Sequence, residues 1–197
     1  MGPIEGMWLA LVFVFILLGV IRGFLKELGL TTVMIVWLFG MDQIIPRVED
    51  YIRSEGNFLE GIGITEANMG TWLWLLFTLI TLVVVYVAYQ GETLAFEGQP
   101  PKGVQGVLLG ALIGAINGYL VTGTLWWLLN RYNYPIRATG MFIDFSAAMP
   151  LTPAAERIVN ELRLLPPDLL GQGADTATSL GVLPLLVVTM VLLRVIR

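Results

Sequence analysis

Long apolar runs, separated by shorter polar segments, dominate this sequence. Five of them approach the length needed to cross the hydrocarbon core of a bilayer as a helix, which takes about 20 residues. These runs cover residues 4–21, 28–45, 71–89, 104–129 and 176–196. Because backbone amides that face lipid have no water to bond, each crossing segment must be helical. The pattern therefore predicts an all-α integral membrane protein with about five transmembrane helices.

The polar segments divide the chain into three parts. They are a four-helix membrane core over residues 1–130, an extracytoplasmic loop over 131–175 and a fifth transmembrane helix over 176–197. Apolar residues recur at helical spacing within the loop, which predicts a short amphipathic helix over residues 153–165. Its apolar face would consist of Ile158, Val159, Leu162 and Leu165.

Composition supports a lipid environment and narrows the chemistry. Of the 197 residues, 56% are hydrophobic and only 13% are charged, whereas soluble domains average about 25% charged residues. Without cysteine or histidine, the chain lacks disulfides, thiolates and the commonest general base and metal ligand. We therefore expect no enzymatic activity, no cofactor and no metal site. The net charge of −4 argues against nucleic-acid binding, which needs a basic surface.

The positions of lysine and arginine predict the orientation of the helices. Cytoplasmic loops of membrane proteins carry an excess of these residues. Five of them crowd into short links and the C-terminal end if the first link is cytoplasmic, namely Arg22, Lys26, Lys102, Arg194 and Arg197. We therefore expect the N-terminus on the outer side of the membrane and the C-terminus in the cytoplasm.

Small residues recur every four positions in the fourth run, where they would form one face of the helix. The series consists of Gly106, Gly110, Gly114, Gly118 and Thr122. Without Cβ atoms, another helix can approach until the backbones nearly touch, which favours association in lipid. The approaching helix could belong to this chain or to another subunit. Asn117 lies beside this face and is expected to form a hydrogen bond between helices.

A second pattern joins the first two runs at the predicted membrane surface. It consists of Gly19, Arg22, Gly23, Lys26 and Glu27. The glycines permit close packing and a tight turn, and a helix N-terminus favours a negative charge such as that of Glu27. We interpret the segment as a hairpin that sets the topology, with a functional Arg22–Glu27 pair as the alternative. No charged residue falls at the centre of a predicted span, which argues against proton-coupled transport.

Three of these sequence features together resemble those of a known protein family. They are the Gly19-x-x-Arg22-Gly23-Phe24-x-Lys26-Glu27 hairpin, the immediate second span, and the glycine-striped fourth span preceded by Lys102-Gly103. Over residues 7–130 this arrangement resembles the colicin V production protein (CvpA) family. The resemblance implies a bacterial cytoplasmic-membrane protein linked to toxin export and envelope maintenance, without an established enzymatic activity. The fifth run departs from the four-span core of that family.

Three functions remain open at this point. The first is a non-enzymatic scaffold or accessory subunit, embedded in the lipid bilayer and packed against other integral membrane subunits or a second copy of itself. The second is a channel or small-solute transporter component, with Asn117, Thr122 and Thr124 lining a path. The third is a subunit of an energy-transducing complex that touches pigments or quinones.

Overall fold

The computed structural model is built from helices that follow most of the apolar runs. It describes residues 4–54, 63–90, 101–135 and 152–171, together with Leu186 and Thr189. The four long helices are α1 (Ile4–Arg22), α2 (Phe24–Ser54), α3 (Glu66–Gln90) and α4 (Gly103–Arg131). Two short helices follow, α5 (Pro153–Glu156) and α6 (Pro166–Gly171), with a π-helical turn at Arg157–Glu161 after α5. No strand occurs within these described ranges.

All four long helices are long and apolar enough to cross a membrane. The mean hydropathy of their best windows lies between 1.7 and 2.2, as expected for segments solvated by lipid. This finding confirms an all-helical architecture over the described residues, with four helices that could span a membrane. The predicted fifth helix over 176–196 lies outside the described residues, except for Leu186 and Thr189, which are both helical.

The helix α2 forms the centre of the bundle. Its residues Leu30, Met34 and Leu38 are at most 1% exposed, and they pack against Ala88 of α3 and Leu120 of α4. The helix α1 lies on the outside and contacts mainly α4. The bundle therefore has its interior between α2, α3 and α4, with α1 attached along one side of α4.

The helix α2 is longer than its apolar run predicted. The run ends at Ile45, yet the helix continues through Pro46 to Ser54. Proline removes one backbone hydrogen bond and normally kinks or ends a helix. Here Val48 and Ile52 continue the apolar face and pack against α3 and α4, which offsets that loss.

The segment after α4 folds back against one end of the bundle. Val159 and Leu165 are buried together with Trp126 of α4, and the indole Nε1 of Trp127 donates to Asp168 Oδ1 at 2.8 Å. Helical structure extends only to Glu161, at the end of the π-helical turn. Leu162, placed by the sequence pattern on the apolar face, is 50% exposed, because the helical register is lost at that point.

Candidate functional site: a buried polar cluster

Five polar side chains from four helices meet inside the bundle. They are Arg22 of α1, Glu27 and Thr31 of α2, Tyr89 of α3 and Asn117 of α4, and we call them the polar cluster. Two of them belong to the predicted hairpin and one lies beside the glycine series. The structure thus brings together two motifs that are about 90 residues apart in the chain.

A one-residue turn sets up the cluster. Gly23 separates α1 from α2 and has a φ of +86°, a left-handed conformation that L-residues with a Cβ atom adopt at a cost. Its backbone N–H donates to Gly19 O at 3.0 Å, and its carbonyl accepts from Glu27 N at 3.3 Å. The turn therefore reverses the chain and brings the first turn of α2 beside the last residue of α1.

Both carboxylate oxygens of Glu27 have partners. Nη1 of Arg22 donates to Oε1 at 2.9 Å, and Nδ2 of Asn117 donates to Oε2 at 2.7 Å. The hydroxyl of Tyr89 lies 3.5 Å from the same Oε2. Since the side chain of Glu27 is completely buried, these donors replace the water that a carboxylate would otherwise require.

The amide of Asn117 connects α4 to α2 through both of its polar atoms. Nδ2 also donates to the backbone carbonyl of Glu27 at 2.9 Å. Oδ1 lies 2.7 Å from the hydroxyl of Thr31, which lies 3.1 Å from the same Glu27 carbonyl and can donate to one acceptor at a time. Asn117 therefore forms the hydrogen bonds between helices that its position in an apolar run predicts.

Arg22 reaches the cluster from the edge of the bundle. Its side chain is 22% exposed, and its guanidinium carbon lies 4.1 Å from the centre of the Tyr89 ring. Nη2 also donates to the backbone carbonyl of Tyr89 at 3.0 Å, a carbonyl that lies in the last turn of α3. Arginine suits this position because its planar group can stack and donate in two directions at once.

Glu27 lies in the first turn of α2, as the sequence pattern placed it, but its side chain is completely buried. Its partner Asn117 is the middle residue of α4, so the carboxylate points into the interior of the bundle. The sequence pattern missed this because apolar run lengths place Glu27 at the start of the second span. An ionisable residue inside a membrane bundle is a candidate functional group by default.

The glycine series of α4 contacts α1 of the same chain. A Cβ atom on Gly110 would lie 2.5 Å from Gly19 O, and one on Gly114 would lie 2.5 Å from Phe15 O. A Cβ atom on Gly118 would meet Phe15 Cβ at 3.0 Å. Later glycines of α4 thus meet earlier residues of α1, so the two helices run antiparallel with their backbones in close contact.

The remaining predicted residues have different surroundings. A Cβ atom on Gly106 would collide with the carbonyl oxygen of Pro101 rather than with another helix. Thr122 is buried and donates to the carbonyl of Gly118 at 2.6 Å on its own helix. Lys26 is exposed and lies outside the polar cluster.

The proposed path-lining residues are all engaged in hydrogen bonds. Thr124 is completely buried and donates to Leu120 O at 2.5 Å, while Asn117 and Thr122 bond as described above. Sequence reasoning also left out Thr31 and Tyr89. Neither has a distinctive sequence signal, since threonines in membrane helices commonly bond to their own backbone and tyrosines commonly mark helix ends.

A second, smaller polar group lies at the opposite end of α2. Glu49 accepts two hydrogen bonds from Arg131, at 3.2 and 3.1 Å, and a third from the Tyr132 hydroxyl at 2.9 Å. Burial raises the pKa of the Tyr132 phenol above its ordinary value, and the hydrogen bond to Glu49 acts in the same direction. These contacts tie the extension of α2 beyond Pro46 to the end of α4.

Comparison with known proteins adds no assignment to this geometry. No family model, curated protein or solved structure matches the chain. The resemblance to the CvpA family therefore rests on the hairpin, the order of the spans and the glycine series alone.

Proposed function

We propose that this chain is a non-enzymatic scaffold or accessory subunit of a bacterial cytoplasmic-membrane assembly, similar in role to members of the CvpA family. The observation that carries the proposal is the polar cluster, in which Glu27 is completely buried and both of its oxygens are paired within the chain. Such an arrangement fixes four helices relative to one another. The four helices then form one rigid unit, which can contact other proteins through its outer surfaces.

The geometry of Glu27 favours a structural role over proton or solute transport. A transport carboxylate must lose and regain its partners and needs a route to water. Here the nearest cation, Arg22, is 2.9 Å away and the amide of Asn117 is 2.7 Å away. Breaking such a buried pair costs about 3–5 kcal/mol, so the cluster acts as a lock between helices.

The surface proposed for a neighbouring subunit is the outward face of α4. Gly110, Gly114 and Gly118 on the other side are covered by α1, so they do not supply that surface. Four apolar residues at four-residue spacing point outward, and their exposures range from 75% to 40%. They are Val104, Leu108, Leu112 and Ile116. This ridge has the shape that packs into the groove of another membrane helix.

A photo-crosslinking experiment tests this proposal. The full chain would carry a photoreactive amino acid at Leu108, which is 63% exposed on the proposed face, or at Leu79 of α3, which is 56% exposed elsewhere. We expect irradiation of intact membranes to yield a discrete higher-mass product from position 108 alone. Mass spectrometry would then show whether the neighbour is another subunit or a second copy.

Two results would contradict the proposal. One is the absence of a crosslinked product from either position after irradiation, together with purification of the chain without a partner in mild detergent. The other is proton or solute flux in reconstituted vesicles that disappears in an Asn117→Leu variant. The second result would move the assignment to the transport class, and the Asn117 contacts with Glu27 would then describe a closed state.

A further inference from the structure

The segment between α5 and α6 reverses direction beside α4 rather than beyond its end. The hydroxyl of Tyr119 donates to the backbone carbonyl of Leu164, and a Cβ atom on Gly123 would lie 2.6 Å from Pro166 Cδ. Residues before and after this point contact the tryptophans nearer the end of α4, as described above. The chain therefore runs along α4 toward its middle and back again, and we call residues 162–165 the tip of this turn.

The tip lies deeper along α4 than the tryptophan at position 126. At 1.5 Å per residue, Gly123 lies about 4.5 Å and Tyr119 about 10 Å further from the end of the helix than Trp126. Indole rings of membrane proteins concentrate at the level of the lipid headgroups. In a bilayer crossed by α4, the contacts of the tip therefore place it on the hydrocarbon side of that level.

Backbone groups of the tip have partners within the protein. The N–H of Leu162 donates to Arg157 O at 2.9 Å, and the N–H of Leu164 donates to Ile158 O at 3.1 Å. The carbonyl of Leu164 accepts from a side chain of a membrane helix, Tyr119. Non-helical backbone is tolerated at membrane depth only where the protein supplies such partners. The hydrogen bonds of the tip thus suit a position inside the bilayer.

The side chains in and after the tip suit lipid as well. Residues 162–170 include five leucines and two prolines. Three of these leucines are between 40% and 50% exposed, namely Leu162, Leu164 and Leu169. The two charged residues can avoid hydrocarbon, because Asp168 accepts from the indole of Trp127 and the long, exposed side chain of Arg163 can extend to the phosphate level.

We infer that residues 162–170 form a re-entrant turn, which inserts into the leaflet at the Trp126 end of α4, is held there by the Tyr119 hydroxyl and packs its exposed leucines against acyl chains. The partner of this surface is thus the lipid of one leaflet. The sequence pattern assigned these residues to a loop outside the membrane, and the inference moves them into the bilayer. It does not depend on the proposed scaffold role, since it requires only that α4 spans the membrane.

Single cysteines introduced into the cysteine-free full chain test the depth of the tip. Leu164→Cys reports on the tip, and Ser54→Cys is the matched control, because Ser54 is the exposed last residue of α2 at the same end of the bundle. In proteoliposomes, we expect a bimane label at position 164 to be quenched by lipids with a nitroxide on the acyl chain, and a label at position 54 to be quenched by aqueous iodide. The unlabelled Leu164→Cys thiol should react with an impermeant maleimide at least about tenfold more slowly than that of Ser54→Cys, because apolar surroundings suppress the reactive thiolate.

A second pair of variants tests the bond that holds the tip. Tyr119→Phe leaves the Leu164 carbonyl without its partner, which hydrocarbon does not tolerate. The tip should then move toward water, and the maleimide reaction of Leu164→Cys should become several-fold faster. Tyr51→Phe removes a hydroxyl from a tyrosine that is 66% exposed on α2 and should leave that rate unchanged.

Two controls keep these measurements interpretable. A thermal melt of each variant distinguishes a displaced tip from a misfolded bundle. Leu162→Cys, at a residue that is 50% exposed in the tip, supplies the same readings if Leu164→Cys does not fold. The crosslinking result at Leu108 has no bearing on them, so failure of the scaffold proposal and failure of this inference are distinguishable.

Three outcomes would overturn the inference. Equal maleimide rates for Leu164→Cys and Ser54→Cys, with iodide quenching at both positions, would place the tip in water. Protection of Leu164→Cys without quenching by the acyl-chain nitroxide would mean that protein covers the tip instead of lipid. An unchanged rate in the Tyr119→Phe variant would show that this hydroxyl does not hold the tip.

Discussion

Replacing Gly114 by alanine should force α1 away from α4. The new Cβ atom would lie 2.5 Å from Phe15 O and 3.1 Å from the Cα atoms of Ile16 and Gly19. All three are backbone atoms of a helix, so no side chain can rotate out of the way. Restoring ordinary contact at about 3.4 Å requires a separation of about 0.9 Å, and a gap of that size forfeits a quarter to a half of the dispersion energy between the affected atoms.

The expected net effect is a destabilisation of about 2 kcal/mol relative to a matched control. Overpacking of this kind costs about 1–3 kcal/mol, while alanine is favoured over glycine within a helix by about 1 kcal/mol. Gly40→Ala in α2 isolates the second effect, because its nearest neighbour would be Ile44 Cδ1 at 3.9 Å. That control should be neutral or slightly stabilising.

The measurement is a reversible unfolding titration with dodecyl sulfate in mixed micelles, followed by tryptophan fluorescence. A difference of about 2 kcal/mol corresponds to about a 30-fold change in the folding equilibrium constant. The proposed close contact between α1 and α4 would be refuted if Gly114→Ala and Gly40→Ala unfolded at the same detergent fraction.

Three further predictions concern the hairpin and the orientation. Glu27→Gln leaves the charge of Arg22 without its partner and should lower the free energy of unfolding by about 3 kcal/mol. A double variant with Arg22→Gln should recover part of that loss in the same titration. If the effects of the two substitutions simply add, the two side chains are not coupled. Gly23→Ala introduces a Cβ atom at a φ of +86° and should lower the free energy of unfolding by about 1–2 kcal/mol. An unchanged midpoint of the unfolding titration would contradict the left-handed turn. Because the chain has no native cysteine, Ser54→Cys should react with an impermeant maleimide from outside the cell and Gln99→Cys only from inside; the reverse pattern would invert the proposed topology.

The four long helices could be predicted because lipid imposes a one-dimensional rule. A segment either has enough consecutive apolar residues to cross or it does not, and this property is written locally in the sequence. The extension of α2 beyond Pro46 escaped the rule, because it depends on Val48 and Ile52 meeting α3 and α4. Contacts between distant segments determine where that helix ends, whereas local propensity favours an end before Pro46.

The candidate site could be predicted only in part from the sequence, for the same reason. Glu27, Arg22 and Asn117 stood out individually because polar residues are costly in or near apolar runs. Their meeting depends on the rotation and depth of α2 relative to α4, which no spacing within one helix specifies. Tyr89 could not be foreseen, since its role comes from the 4.1 Å stacking distance to Arg22 at the end of a third helix.

The attachment of α1 has a consequence for how the protein assembles during synthesis. The main contact of this helix is with α4, which is synthesised after α1 and after the two helices between them. Until α4 is synthesised, Gly19 lacks its close contact with Gly110 and Glu27 lacks the amide of Asn117. The helix α1 therefore remains without its main partner until α4 is synthesised. A factor that assists membrane insertion would be needed most during that interval.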